Sequence, residues 1–211
     1  MRITKGRCIL ALVCVGWVSV IGTGLGLLWN YENAPGEAAT PPAVWPGATR
    51  IQLAKDRATL VMLVHPHCPC SRASIGELDR LMAQAQGRVT AYALFLKPPD
   101  FPDNWEQTDL WQHAASIPGV VAIVDEDGVE AQRFSARTSG QTLLYSPEGQ
   151  LLFSGGITAS RGHSGDNAGR SAIVALLQNE KAEATKTFVY GCPLFAPDSQ
   201  CRGTSDEPPR H

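Results

Sequence analysis

The chain has 211 residues, 44% of them hydrophobic and 18% charged. That length suits one domain with appendages, and the composition is that of a globular protein rather than a disordered or repetitive one. With Arg2, Lys5 and Arg7 set aside, 15 basic and 20 acidic residues remain, so a net charge of −2 becomes −5 and argues against a nucleic-acid partner.

From Cys8 to Leu28 no residue is charged. At about 1.5 Å per helical residue this run spans a hydrocarbon core of roughly 30 Å. Arg2, Lys5 and Arg7 precede it, and Glu32 and Glu37 follow it. The positive-inside rule therefore places residues 1–7 in the cytoplasm and the remainder outside, with 8–28 as a single-pass helix in the inner (cytoplasmic) membrane. A cleaved signal peptide is the other reading. Its apolar region is normally about 7–15 residues long and ends at a small-x-small site. Here the run closes on Leu27, Leu28 and Trp29. Residues 29–48 hold Pro35, Pro41, Pro42 and Pro46 and read as a partly extended linker.

A domain over 49–182 follows, then a tail over 183–211. The run from Leu60 to Val64 stops at His65-Pro66 and reads as a buried strand. Cys68, Pro69 and Cys70 come next, and Ile75, Leu78 and Met82 repeat at helical spacing over about 70–85. Pro69 suits a first helical position, where a missing N–H costs nothing. Cys68 then lies at or near the N-cap, where backbone N–H groups and the helix dipole favour a thiolate. Cys68 is accordingly expected to be the nucleophile, more acidic and more exposed than Cys70. If both cysteines lay on the helix, their side chains would diverge by about 200° and could not bridge. A pair of buried or bridged structural thiols is the other reading.

Residues 88–97 read as a strand, followed by a loop rich in Pro and Asp. Asp109 is placed to cap a short helix from Leu110 to Ser116. Val120 to Val124 is another strand, and Asp127-Gly128 turns it into a short helix from Val129 to Phe134. Thr142–Tyr145 and Leu151–Phe153 flank Ser146-Pro147-Glu148-Gly149, a hairpin signal. The glycine-rich stretch 155–169 matches neither a Walker loop nor G-x-G-x-x-G. Ser164 or Asp166 suits a cap for a last helix from Gly169 to Glu180, and Arg161 and His163 are candidates to face the cysteines. The final ten residues are expected to be disordered. This alternation gives an α/β fold, a mixed sheet with helices on both faces.

The strand 60–64, the motif HPHCPC and the stretch VVAIVDEDGVEAQRFSARTSGQTLLYSPEGQLLFSGG together resemble the thioredoxin-like superfamily over roughly residues 45–182. The likeness is nearest to the membrane-anchored TlpA and ResA type, and HPHCPCSRAS is similar to the RedB group. The resemblance implies a periplasmic thiol–disulfide oxidoreductase with redox-active cysteines. Two departures stand out. The cysteine spacing is C-x-C rather than C-x-x-C. Gly140-Gln141-Thr142 stands where Gly-x-Pro-Thr is usual, so the cis-proline that shapes the substrate groove is missing.

The expected chemistry is thiol–disulfide exchange with a redox partner protein or small thiol and no cofactor. Cys68 attacks, and Cys70 or the distant Cys192, set between Gly191 and Pro193, resolves. A Cys192–Cys201 bridge is the competing use of the tail cysteine. His65 and His67 support the thiolate. One alternative is a copper-delivery module using Cys68, Cys70 and His67, because two thiolates and an imidazole suit a soft ion. Another is a catalytically silent thioredoxin-like binding domain.

Overall fold

The computed structural model describes residues 2–85, 87–99 and 101–195. Cys201 and the terminal stretch expected to be disordered lie outside these residues. The chain divides into two units, residues 1–34 and 35–211. The first is a helix, α1 (Arg2–Asn33). Its segment Gly6–Asn33 is long and apolar enough to cross a membrane.

The second unit is built on one five-stranded sheet. In chain order its elements are β1 (Ala58–Val64), α2 (Ser71–Ala85), β2 (Val89–Lys97), α3 (Asp109–Ser116), β3 (Val120–Glu126), α4 (Val129–Arg133), β4 (Gln141–Tyr145), β5 (Leu151–Gly155) and α5 (Ala168–Leu177). The strand order is β3-β2-β1-β4-β5. β1 pairs parallel with β2 and antiparallel with β4; β2–β3 is parallel and β4–β5 antiparallel. The expected α/β class is therefore the observed one: a mixed five-stranded sheet flanked by helices.

β1 is central and all seven of its residues are buried. Side chains alternate across a strand, so one apolar run supplies two cores. Leu60, Met62 and Val64 meet Ile75, Leu78 and Leu81 of α2 and Ile173 of α5. Val61 and Leu63 meet Phe134, Leu143 and Tyr145 on the other face. Each such side chain contributes about 1.5–3 kcal/mol on full burial, which fixes the strand end from which the cysteine turn leaves.

Three local expectations are corrected. Thr108, not Asp109, is the N-cap of α3; its hydroxyl donates to Pro66 O at 3.1 Å, while Asp109 enters the helix and pairs with Arg72. Asn167, rather than Ser164 or Asp166, caps α5, its Oδ1 accepting from Arg170 N at 2.8 Å. α5 ends at Leu177 instead of Glu180, because Asn179 turns left-handed at φ 59°.

Residues 35–48 are packed on the domain. Trp45 stands edge-on to Phe134 and Tyr145, and Tyr145 Oη donates to Pro42 O at 2.9 Å. Four prolines hold the segment extended, and its aromatic residue finds an apolar face.

Candidate functional site

The end of β1 delivers the chain into a tight turn. Cys68 N donates to His65 O at 3.1 Å, and Ser71 N donates to Cys68 O at 3.0 Å. Cys68 thus precedes the helix proper, with its carbonyl already inside the first turn. Cys70 O accepts from Ala73 N at 3.2 Å and belongs to the helix entry.

The decisive contact comes from the tail. Residues 185–188 run along the outer edge of β5, with a parallel bridge between Ser154 and Lys186. The chain then crosses to the loop before β4, where Thr138 bridges Pro193 in the antiparallel sense. Ser139 N donates to Cys192 O and Leu194 N donates to Arg137 O, both at 2.8 Å. Pro193 sits at the non-hydrogen-bonded position of this pair, where it needs no N–H. Arg161 Nη1 donates to Gly191 O at 2.7 Å and pins the same turn.

This path brings Cys192 Sγ to 2.8 Å from Cys68 Sγ. Either thiol can be drawn as the donor of that pair. The Cys192 backbone N–H, 3.3 Å from Cys68 Sγ, can only donate, so Cys68 is the acceptor and the site of negative charge. The Cys68 thiol is held far below its ordinary pKa, first by the Cys192 thiol, then by Cys70, with Ser71 and the Cys192 N–H adding to them and burial opposing. The Cys192 thiol is driven well up, by Cys68 first, then Cys70 and burial. Cys192 pulls Cys70 down, but the charge on Cys68 and burial push it up by more. The three thiols therefore titrate as one coupled group, in which Cys68 is favoured to lose its proton and Cys192 to keep its own.

The expected order of exposure is reversed. Cys68 is 1% exposed and Cys70 7%. The tail covers Cys68, whereas the N-terminal position of Cys68 in the turn had argued for openness.

His65 is buried; its backbone N donates to Ser139 Oγ at 2.7 Å, and its Nδ1 accepts from His67 N at 3.2 Å. Burial lowers its pKa most; the Cys68 thiolate opposes this and His67 adds to it, with a net shift downward. His67 is exposed, its ring tilted 40° to that of Trp105 with centroids 4.5 Å apart, and its Nε2 lies 3.0 Å from Trp105 O. The expected metal set of Cys68, Cys70 and His67 is thus not drawn together. Among the described residues no group of three or more His, Cys, Asp and Glu side chains converges for a metal ion. Arg161 reaches the site through Gly191 and lowers the Cys70 pKa. His163 is exposed, and no described contact joins it to the cysteines.

Sequence reasoning missed four supporting residues. Ser139 and Ser71 share a buried hydroxyl pair at 2.7 Å beneath the turn. Glu77 and Arg170 form a buried ion pair under the glycine-rich segment, where Glu77 also accepts from Gly165 N at 2.9 Å and Asn167 Nδ2 at 3.2 Å. Ser71 lies within HPHCPCSRAS, which by itself gives it no role, and neither Ser139 nor Glu77 stands in a recognisable motif. The one available signal was Glu77 among apolar helical positions, a buried charge that requires a partner. A cavity of about 960 Å³ lies between residues 35–41, β5 and the tail, and none of the three cysteines lines it. The thiol site is a closed contact rather than a pocket.

No family model matches the chain, and no curated protein matches it by sequence. Solved structures do. An uncharacterized conserved protein from Geobacillus kaustophilus superposes with a TM-score of 0.57 at 20% identity, over 79% of this chain and 94% of its own. A hypothetical protein from Sinorhizobium meliloti 1021 gives 0.57 at 18%, over 76% and 93%. The pneumococcal exposed lipoprotein thioredoxin of Streptococcus pneumoniae is looser, at 0.45 and 14%, over 67% and 99%. At these identities the likeness concerns the fold alone.

Proposed function

We propose that this chain is a membrane-anchored, extracytoplasmic thioredoxin-like oxidoreductase that exchanges thiols and disulfides through Cys68 and Cys192. The observation that carries the reading is the 2.8 Å contact between their sulfurs, with the Cys192 N–H also directed at Cys68. The apolar helix α1 supports the anchor, and the cations before it support the orientation. On this reading the protein sits beside the TlpA and ResA type, with HPHCPCSRAS aligning it to the RedB group.

The reaction conserves two electrons. Cys68 thiolate attacks one sulfur of a partner disulfide, and the other partner sulfur leaves as a thiolate with the bonding pair. Cys192 gives up its proton to the partner thiolate already released and attacks Cys68 Sγ, expelling the second partner thiolate. The protein dithiol becomes a disulfide and the partner disulfide a dithiol. Charge on Cys68 makes it the attacking sulfur, and the proton held on Cys192 delays resolution until the mixed disulfide has formed.

Trapping tests this assignment. Cys192→Ser should accumulate a mixed disulfide with its partner, while Cys70→Ser should turn over and leave none. Trapping by Cys70→Ser alone would move resolution to Cys70. Retention of stoichiometric Cu(I) by the reduced protein, lost in Cys68→Ser, would move the function to copper delivery instead.

A further inference from the structure

We propose that the tail segment 185–194 is a built-in occupant of the exchange site, and that a partner reaches Cys68 only after this strap lifts from Arg137–Ser139. The line it vacates fits an extended polypeptide with glycine before its cysteine. The inference rests on the exchange reading above and adds to it a gate and a substrate class.

Three observations carry it. The strap binds as a foreign strand would, through backbone bonds in register: Ser139 N to Cys192 O and Leu194 N to Arg137 O, bracketing the Thr138–Pro193 bridge. Strand addition at an unpaired backbone segment is a general mode of peptide recognition, with affinity from the main chain and specificity from side-chain room. Cys192 sits in this line where a partner's cysteine must sit to form a mixed disulfide, 2.8 Å from Cys68. With the strap down, Cys68 is 1% exposed, too closed for a polypeptide to approach.

The room beside the cysteine is also defined. A Cβ added at Gly191 would lie 1.9 Å from Ser139 O and 3.0 Å from Ser139 C. Backbone carbonyls cannot swing aside as side chains do, so any residue other than glycine there disturbs the line. The same restriction falls on whatever replaces the strap. Strap and partner therefore compete for one backbone segment. Exchange proceeds in order: the strap lifts, the partner docks and forms its bond to Cys68, and the returning strap brings Cys192 to break that bond and displace the partner.

The test uses the full-length reduced protein and single-cysteine peptides carrying thionitrobenzoate as a mixed disulfide. Attack by Cys68 on the peptide sulfur releases coloured thionitrobenzoate. One peptide is centred on Gly-Cys-Pro and the other on Val-Cys-Pro, with glutathione thionitrobenzoate as the small probe. Gly191→Val should unseat the strap and raise the rate with the Gly-Cys-Pro peptide by about tenfold, the equivalent of two lost backbone hydrogen bonds. In that variant the Gly-Cys-Pro peptide should react several-fold faster than the Val-Cys-Pro peptide. Leu194→Pro, which removes one strap donor away from the cysteines, serves if Gly191→Val fails to fold. Equal rates in wild type and a folded strap variant would overturn the gate. Equal rates for the two peptides would overturn the glycine requirement. Absence of Cys68 reaction with every probe, the small one included, would instead overturn the exchange reading itself.

Discussion

Replacing Cys192 by alanine should raise the Cys68 pKa without removing the strap. The substitution deletes the S–H that faces the thiolate at 2.8 Å but keeps the backbone N–H at 3.3 Å. A hydrogen bond to a charged group is worth about 1.5–3 kcal/mol, and each pKa unit corresponds to about 1.36 kcal/mol, so the rise should be about one to two units. Cys192→Ser keeps an O–H donor and should recover most of the shift. The assay is the pH profile of alkylation of the Cys68 peptide, followed by mass spectrometry. The midpoint is the readout rather than the rate, because any loosening of the strap raises the rate at all pH values. A depressed acid stabilises the reduced fold above its unfolded pKa, near 8.5 for a thiol, and that stability is lost as pH falls through the depressed folded value. Cys192→Ala should therefore show a flatter rise of stability with pH below about 8.5 and, because the raised Cys192 thiol is also gone, a weaker fall above it. A midpoint unchanged within about 0.3 units would show that Cys192 does not hold the charge on Cys68.

Glu77→Ala should leave the largely buried Arg170 guanidinium with only the exposed Asp166 as a partner and cost up to about 3 kcal/mol, read as a fall in the urea midpoint; a loss under about 1 kcal/mol would mean that the pair is dispensable. Asn167→Ala should cost about 1 kcal/mol through loss of the α5 cap, and Asn167→Asp should retain the cap bond to Arg170 N. The His65 ring, depressed mainly by burial, should titrate by NMR below a free imidazole, and its stability contribution, present above about 6.5, should be lost as pH falls through the depressed value; a midpoint at or above that of free imidazole would refute it. A periplasm-dependent reporter fused after residue 211 should be active only when α1 is intact, and cytoplasmic activity would reverse the orientation.

The fold was largely legible because its signals are local. β1 is a single apolar run ending at His65-Pro66, and the β4–β5 hairpin is marked by Ser-Pro-Glu-Gly. Errors fell where neighbours in space outweigh neighbours in sequence. Asp109 is a good cap by residue type, but Arg72 holds its carboxylate while Thr108 bonds Pro66. Residues 35–48 look like a spacer until Trp45 has Phe134 and Tyr145 to pack against. At the site, Cys68 and Cys192 are 124 positions apart, and the Ser71–Ser139 pair spans 68. Gly191 and Pro193 mark a bend at Cys192 but not where the bend leads. That depends on the free edge of β5 and on the Arg137–Ser139 segment, both products of the finished sheet.

The short cysteine spacing and the glycine-glutamine pair before Thr142, the two points at which the sequence departs from the pattern it resembles, have one physical explanation. Cys70, at the helix entry while Cys68 lies before it, helps to depress the Cys68 thiol, but Cys192 is the cysteine whose sulfur and backbone N–H both reach Cys68. A chain bringing that thiol must bind beside Cys68. The segment before β4 offers that place: Ser139 N is available to Cys192 O, Arg137 O to Leu194 N, and the Ser139 side chain anchors the turn below through His65 N and Ser71 Oγ. Gly140, at φ 89°, redirects the backbone immediately afterwards, its N–H donating to Leu63 O at 2.8 Å. A proline is not required at Gln141, whose side chain instead donates to Ser154 Oγ on β5, the strand along which the tail runs. The short cysteine spacing, the missing proline and the returning tail are therefore coupled. Creating a C-x-x-C spacing by inserting one residue after Pro69 should not move resolution from Cys192 to Cys70 while the strap is seated, because the strap's own sulfur already fills the position opposite Cys68; a mixed disulfide trapped in this insertion variant by Cys70→Ser, and not by Cys192→Ser, would refute the coupling.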